Sequence, residues 1–151
     1  MNHIAIMKKS WELLPKILSG EKTIESRWYK TRREAFGKVK TGDTVYFKDS
    51  GEPVGLKAKV KKVLEFENLT PQKVKEILKK YGGNPSAGGG IGLGDFNYFY
   101  NWAKNKKYCV LIFLKNQRKV KLFNIDKKGF GSPRAWLSVK NINQIKINGC
   151  K

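Results

Sequence analysis

The seven residues Tyr108-Cys109-Val110-Leu111-Ile112-Phe113-Leu114 carry no charge. A run this short and this apolar marks a strand at the centre of a sheet, where neither face meets water. Other strands must therefore flank it. His3–Met7 reads as a short buried strand, Thr44–Lys48 alternates, and Val54–Phe66 continues the pattern after the turn residues Asp49–Pro53. In the long strand Leu56, Ala58 and Val60 take one side while Lys57, Lys59 and Lys61 take the other. Beyond the central run, a turn at Lys115-Asn116 predicts a hairpin to Lys119–Phe123, and Asn141–Ile147 alternates as a closing strand.

Three helices are expected among these strands. Ser10 is a candidate cap for the first, which carries Trp11, Leu13, Leu14, Ile17 and Leu18, with Pro15 delaying its regular part and Gly20 as a left-handed stop. Thr70-Pro71 opens the second, whose stripe of Val74, Ile77 and Leu78 ends near Tyr81-Gly82. The third covers roughly residues 95–105, and its aromatic residues fall on more than one face, so most are core while Tyr98 or Trp102 is left to line a cleft. The sum is one α+β domain over residues 1–151.

The formal charge is +20, from 32 basic and 12 acidic residues, which favours a polyanion as partner and a monomeric state. Only five of the basic residues are arginine, so contacts to a phosphate backbone are expected rather than bidentate reading of bases. His3 is the only histidine, and Cys109 and Cys150 stand far apart. A zinc centre, a disulfide framework and a Ser-His triad are all disfavoured, and no metal or cofactor is expected. The first residues lack the apolar stretch of a signal peptide and no run reaches the length of a membrane span, which predicts a cytoplasmic protein.

Residues 28–43 mix five basic side chains with two glycines and read as a surface excursion, making Lys30, Arg32 and Arg33 candidate phosphate contacts. Residues 82–94 are the most glycine-dense part of the chain. Gly90, Gly92 and Gly94 follow a helix rather than a strand and lack the Gly-Lys-Ser/Thr of a P-loop, so a flexible insert is expected there. Residues 129–136 form a turn-rich loop that adds Arg134 and Trp136 to the candidate binding residues.

The stretch Ser19-Gly20-Glu21-Lys22-Thr23-Ile24-Glu25-Ser26-Arg27-Trp28 places paired charge at a helix stop and on the strand that follows. Thr23, Glu25 and Arg27 share one face of that strand; Ile24, Ser26 and Trp28 share the other. At a surface, a Glu25–Arg27 pair contributes at most about 1 kcal/mol. As the wall of a pocket, the same residues bind.

Gly20, Lys22, Glu25 and Arg27 match all four fixed positions of the G-x-K-x-x-E-x-R signature, and in this the chain resembles the ASCH domain family, relatives of the PUA-like RNA-binding barrels. The order of strand, helix, motif and a further strand after Gly42-Asp43 is similar as well. The resemblance implies a small mixed β-barrel flanked by two to four helices, with the motif lining a cleft for RNA or a nucleoside. It gives Gly20 a sharp turn, Lys22 an ammonium aimed at phosphate or a polarised carbonyl, Glu25 a base or sugar to accept from, and Arg27 a phosphate to fork.

The leading expectation is RNA or nucleotide binding without catalysis. The alternative implied by the resemblance is hydrolysis, either of N4-acetylcytidine or of RNA, with Lys22 and Glu25 as the catalytic pair. Glu25 stands where the amidohydrolases of the family carry threonine, and Thr23 would substitute only after a shift of geometry. For RNA cleavage, Glu25 and Asp49 are carboxylates able to hold a divalent ion, although no ligand spacing demands one.

Overall fold

The computed structural model describes residues 1–83, 89–130 and 134–147. Seven strands run β1 (Asn2–Met7), β2 (Ile24–Tyr29), β3 (Thr44–Asp49), β4 (Val54–Phe66), β5 (Tyr108–Ile125), β6 (Trp136–Val139) and β7 (Lys146–Ile147). They are joined by helices α1 (Leu13–Ser19), α2 (Pro71–Tyr81) and α3 (Phe96–Ala103). Six strands lie in the order β2-β5-β4-β3-β1-β6, and β7 pairs with the far end of β5. Among the described residues only β1–β3 is parallel, so the sheet is mixed, and it curls into a half-barrel. No described helix is long and apolar enough to cross a membrane.

Curling gives the sheet two sides with different contents. Inside lie Val45, Phe47, Leu56, Ala58, Val60, Val110 and Ile112, one residue in two along each strand. Outside, α2 and α3 cover Ile24, Trp28, Cys109 and Leu111 with Val74, Ile77, Leu78 and Ala103. The run at 108–114 is thus buried on both faces, which is why it can be apolar at every position.

Four expectations are corrected. Residues 108–123 form no hairpin: β5 is one strand of 18 residues that passes Lys115-Asn116 through a bulge, with Asn116 at φ 56°. Asn is among the few side chains that tolerate that region, so a turn signal became a bulge. Ser10 caps nothing, because Lys9–Trp11 forms a 3₁₀ turn and Glu12, at φ 51°, separates it from α1. Pro15 then falls in the first turn of α1, where its missing N–H costs nothing. Residues 28–43 are only partly a surface excursion, since Ala35, Phe36 and Val39 are buried in the barrel. Asn141–Ile147 is a 3₁₀ turn at Ile142–Gln144 followed by a two-residue strand, the turn held by a reciprocal Asn141–Gln144 cap.

Gly20 ends α1 at φ 86° and ψ 2°, a conformation in which a Cβ is strained, and it turns the chain straight into β2. The motif thereby reaches the edge of the sheet. β2 and β6 are the two ends of the curled sheet, and Arg27 spans the seam between them. Its Nη1 donates to Ala135 O at 3.1 Å, just before β6, and its Nη2 donates to Ile6 O of β1 at 3.5 Å.

Candidate functional site

Lys22 and Glu25 are 2% and 3% exposed, so the charges expected on a half-exposed strand lie in the interior. Lys22 Nζ donates to Ile24 O and Ile91 O, both at 2.7 Å, and lies 3.3 Å from Glu25 Oε1. An ammonium has three donors, and all three are used. Glu25 Oε1 also accepts from Ser26 N at 3.1 Å, and Oε2 accepts from Arg27 Nη2 at 3.1 Å. Arg27 lies over the Trp136 ring, 5.2 Å from its centroid. Burial works to raise the Glu25 carboxyl, but Lys22 and Arg27 outweigh it and hold the group below its ordinary range. Burial pulls Lys22 down, and Glu25 opposes that pull. Glu25 is therefore the fixed anion of the cluster.

The glycine-rich segment packs on this motif. Gly90 O accepts from Thr23 N and Ile24 N at 2.9 and 3.0 Å, while Gly90 N donates to Thr23 Oγ1 at 2.9 Å. A Cβ at Gly89 would meet Thr23 Oγ1 at 2.4 Å, so only glycine permits the approach. Residues 84–88 of the expected flexible insert lie outside the described residues. Ile91–Gly94 forms one side of a cleft.

That cleft has two adjoining lobes. The first, of about 230 Å³, is walled by Trp11, Tyr98, Phe99 and Trp102, with Ile91 and Leu93 at its back. The second, of about 570 Å³, lies along the seam and is lined by Lys8, Arg27, Arg33, Lys106 and Arg134. Glu25, Ser26 and Trp102 border both. Trp11 and Trp102 meet edge to face at 6.0 Å, and each carries a lysine over its ring, Lys8 at 5.5 Å and Lys106 at 4.9 Å. Lys106 is drawn down by burial first and then by Lys30 and Arg33, the mark of a crowded cationic rim.

The candidate residues divide accordingly. Lys22, Glu25, Arg27, Arg33, Tyr98 and Arg134 line the cleft. Lys30 stands at the rim without lining either lobe. Arg32 turns away, over Phe36 and toward Glu67 at 3.4 Å. Trp136 is 1% exposed and supports Arg27 from beneath, which removes it from direct stacking on a base. Asp49 lies in a separate depression beside Leu14 and Glu52, so it does not join Glu25. No group of three potential metal ligands occurs among the described residues.

Sequence reasoning missed Trp11, Lys8 and Lys106, and offered Tyr98 or Trp102 for the cleft where the structure uses both. The doublet Lys8-Lys9 before Ser10-Trp11 was the available signal, hidden when Trp11 was assigned to a helix face. It also missed a hydrogen-bonded chain in which His3 lies 2.8 Å from Ser138 Oγ and 2.8 Å from Asp43 Oδ2. His3 is fully buried and none of the three lines the cleft, so this is a satisfied core histidine.

No protein-family model matches the sequence, and no curated protein matches it. Solved structures do. The ASCH protein of Zymomonas mobilis superposes with a TM-score of 0.65 at 15% identity, over 95% of this chain and 91% of its own. Crystal structures of two of its single-residue variants give 0.66 at 14% identity and 0.65 at 13%. The protein has the ASCH fold, an α+β half-barrel with its motif at the seam.

Proposed function

We propose that the cleft holds one nucleotide of an RNA strand, its base in the aromatic lobe and its phosphate in the basic lobe. One observation carries this reading: an apolar chamber walled by aromatic rings opens directly into a chamber lined by five cations, and an ionised carboxylate stands at the border. That is the division of a nucleotide into a stacking part, a hydrogen-bonding edge and an anion. Glu25 accepts from a base N–H or a ribose hydroxyl there, and Arg27, Arg33 and Arg134 meet phosphate.

Calorimetric titration with the four ribonucleoside 5′-monophosphates tests the proposal. Binding should weaken on Trp102→Ala by roughly 1–3 kcal/mol, the usual value of one base–aromatic stack. A nucleotide that binds the variant as tightly as the parent does not use this lobe.

Two observations weigh against hydrolysis. Lys22 would have to give up a hydrogen bond to act as a base, since each of its donors has an oxygen acceptor within 3.3 Å. The Thr23 hydroxyl accepts from Gly90 N at 2.9 Å, which ties up one of the lone pairs a nucleophile would use. Incubation of the protein with N4-acetylcytidine should release no cytidine; release that vanishes in Lys22→Met would restore the enzymatic reading.

A further inference from the structure

The sheet carries a second cationic surface, on the part of β4 and β5 that extends beyond the residues paired with β2. Lys57 of β4 lies directly opposite Arg118 of β5, and Lys59 lies directly opposite Lys115. Partners so aligned present their side chains on the same face about 5 Å apart, where like charges destabilise the pair. Among the described residues no carboxylate comes within ion-pair distance of any of the four. β5 contains no Asp or Glu at all, and the single acid of β4, Glu65, is engaged by Gly37 N.

The register behind this arrangement is irregular. From Lys59 to Lys57 the chain of β4 moves two residues, while β5 moves three, from Lys115 to Arg118. The extra residue is accommodated by the bulge in which Asn116 takes φ 56°. A regular ladder would bring Gln117 opposite Lys57; the bulge brings Arg118 instead. It thus completes a block of four cations that an unbroken strand would leave at three.

The neighbours of this block suit a nucleic-acid strand. On the far side of Lys57 its β3 partner is Tyr46, whose ring lies 6.0 Å from the Lys57 ammonium and is half-buried. Lys59 is braced by donation to Thr44 Oγ1 at 2.8 Å. None of these residues lines either lobe of the cleft.

We infer that the outer face of β3, β4 and β5 around Lys57, Lys59, Lys115 and Arg118 is a docking surface for the phosphate backbone of RNA, separate from the nucleotide cleft. Charge complementarity selects the occupant: four unpaired cations held against one another are relieved only by a ligand with repeated anions. Lysine at three of the four positions supplies charge without base reading, so the surface grips any sequence. A strand held here is retained while a single nucleotide samples the cleft.

The test compares the parent protein with Lys57→Gln/Arg118→Gln and Lys59→Gln/Lys115→Gln variants and their fourfold combination. The probe is a labelled single-stranded RNA of about twenty nucleotides, titrated across a range of salt. Removing four phosphate contacts should flatten the slope of log affinity against log salt by about 3 and weaken binding at moderate salt at least roughly tenfold. Binding of nucleoside monophosphate to the cleft should be unchanged, and thermal stability should hold or rise as like charges are removed. A Lys57→Arg/Arg118→Lys control, which keeps all charges, should behave as the parent. An unaltered salt slope in the fourfold variant overturns the inference. So does loss of binding to phosphatidylserine vesicles while RNA binding stays intact, which would assign the surface to a membrane. Loss of monophosphate binding alone, in Trp102→Ala, bears on the cleft and leaves this surface standing.

Discussion

Glu25 is held by Lys22 on one side and Arg27 on the other, in a place that water hardly enters. Its removal is therefore not the small surface loss that the strand pattern suggested. Glu25→Gln keeps the shape but leaves two cations without their anion, at a cost of about 3–5 kcal/mol. Urea denaturation should show that loss as a lower midpoint with an unchanged slope. The charge pattern of the motif was legible because its residues alternate on a strand; its burial was not, because the lid over it comes from Gly89–Gly94, some 65 positions later in the chain. Trp102 gives the contrasting case. It is 41% exposed, so Trp102→Ala should weaken nucleotide binding while the urea midpoint barely moves. Equal stability losses in the two variants would show that cleft and motif are not energetically distinct.

Among the described elements, β1 and β3 form the one parallel pair, and His3 and Asp43 fasten its start. Burial holds His3 below its ordinary value of 6.5, against the opposing pull of Asp43. The unfolded chain thus binds a proton more readily than the folded one. Stability is complete above about pH 6.5 and declines as pH falls through the lower folded value. Denaturation midpoints measured between pH 7.5 and 5 should fall, and His3→Gln should flatten that decline. A parent midpoint independent of pH over this range would exclude His3 as the linked group. At the same scale, α2 begins with Thr70 accepting from Lys73 N at 3.2 Å; Thr70→Ala should cost about 1 kcal/mol, read from the same midpoints. This helix was visible in the sequence through its cap and its stripe of Val74, Ile77 and Leu78. The long β5 was not, since Asn116 signals a turn and a bulge with equal force and only the partner strand decides between them. The same holds for Asn141–Ile147, whose alternation lost to a local cap.

Over the whole molecule, an excess of 20 positive charges opposes compaction and attracts polyanions. Added salt screens both effects, so the two should respond with opposite signs: the melting temperature should rise with sodium chloride while RNA affinity falls. A melting temperature that drops alongside affinity would point to specific ion pairs, rather than self-repulsion, as the dominant electrostatic term. A small mixed barrel was anticipated from one eight-residue motif in its helix–glycine–strand setting, and the aromatic lobe was legible only on its α3 side, because Trp11 comes from a distant segment. The seam has a consequence for solubility. Among the described residues no strand pairs with the outer edges of β2 and β6, and such edges recruit strands from other molecules. Arg27, reaching Ala135 O and Ile6 O, occupies part of that gap with a charge that a foreign strand would have to bury. Arg27→Ala should therefore shorten the lag before fibrillar aggregates appear on agitation, even in buffer where the variant remains folded, because Arg27, proposed above to meet phosphate, is also the gatekeeper of an open β-edge.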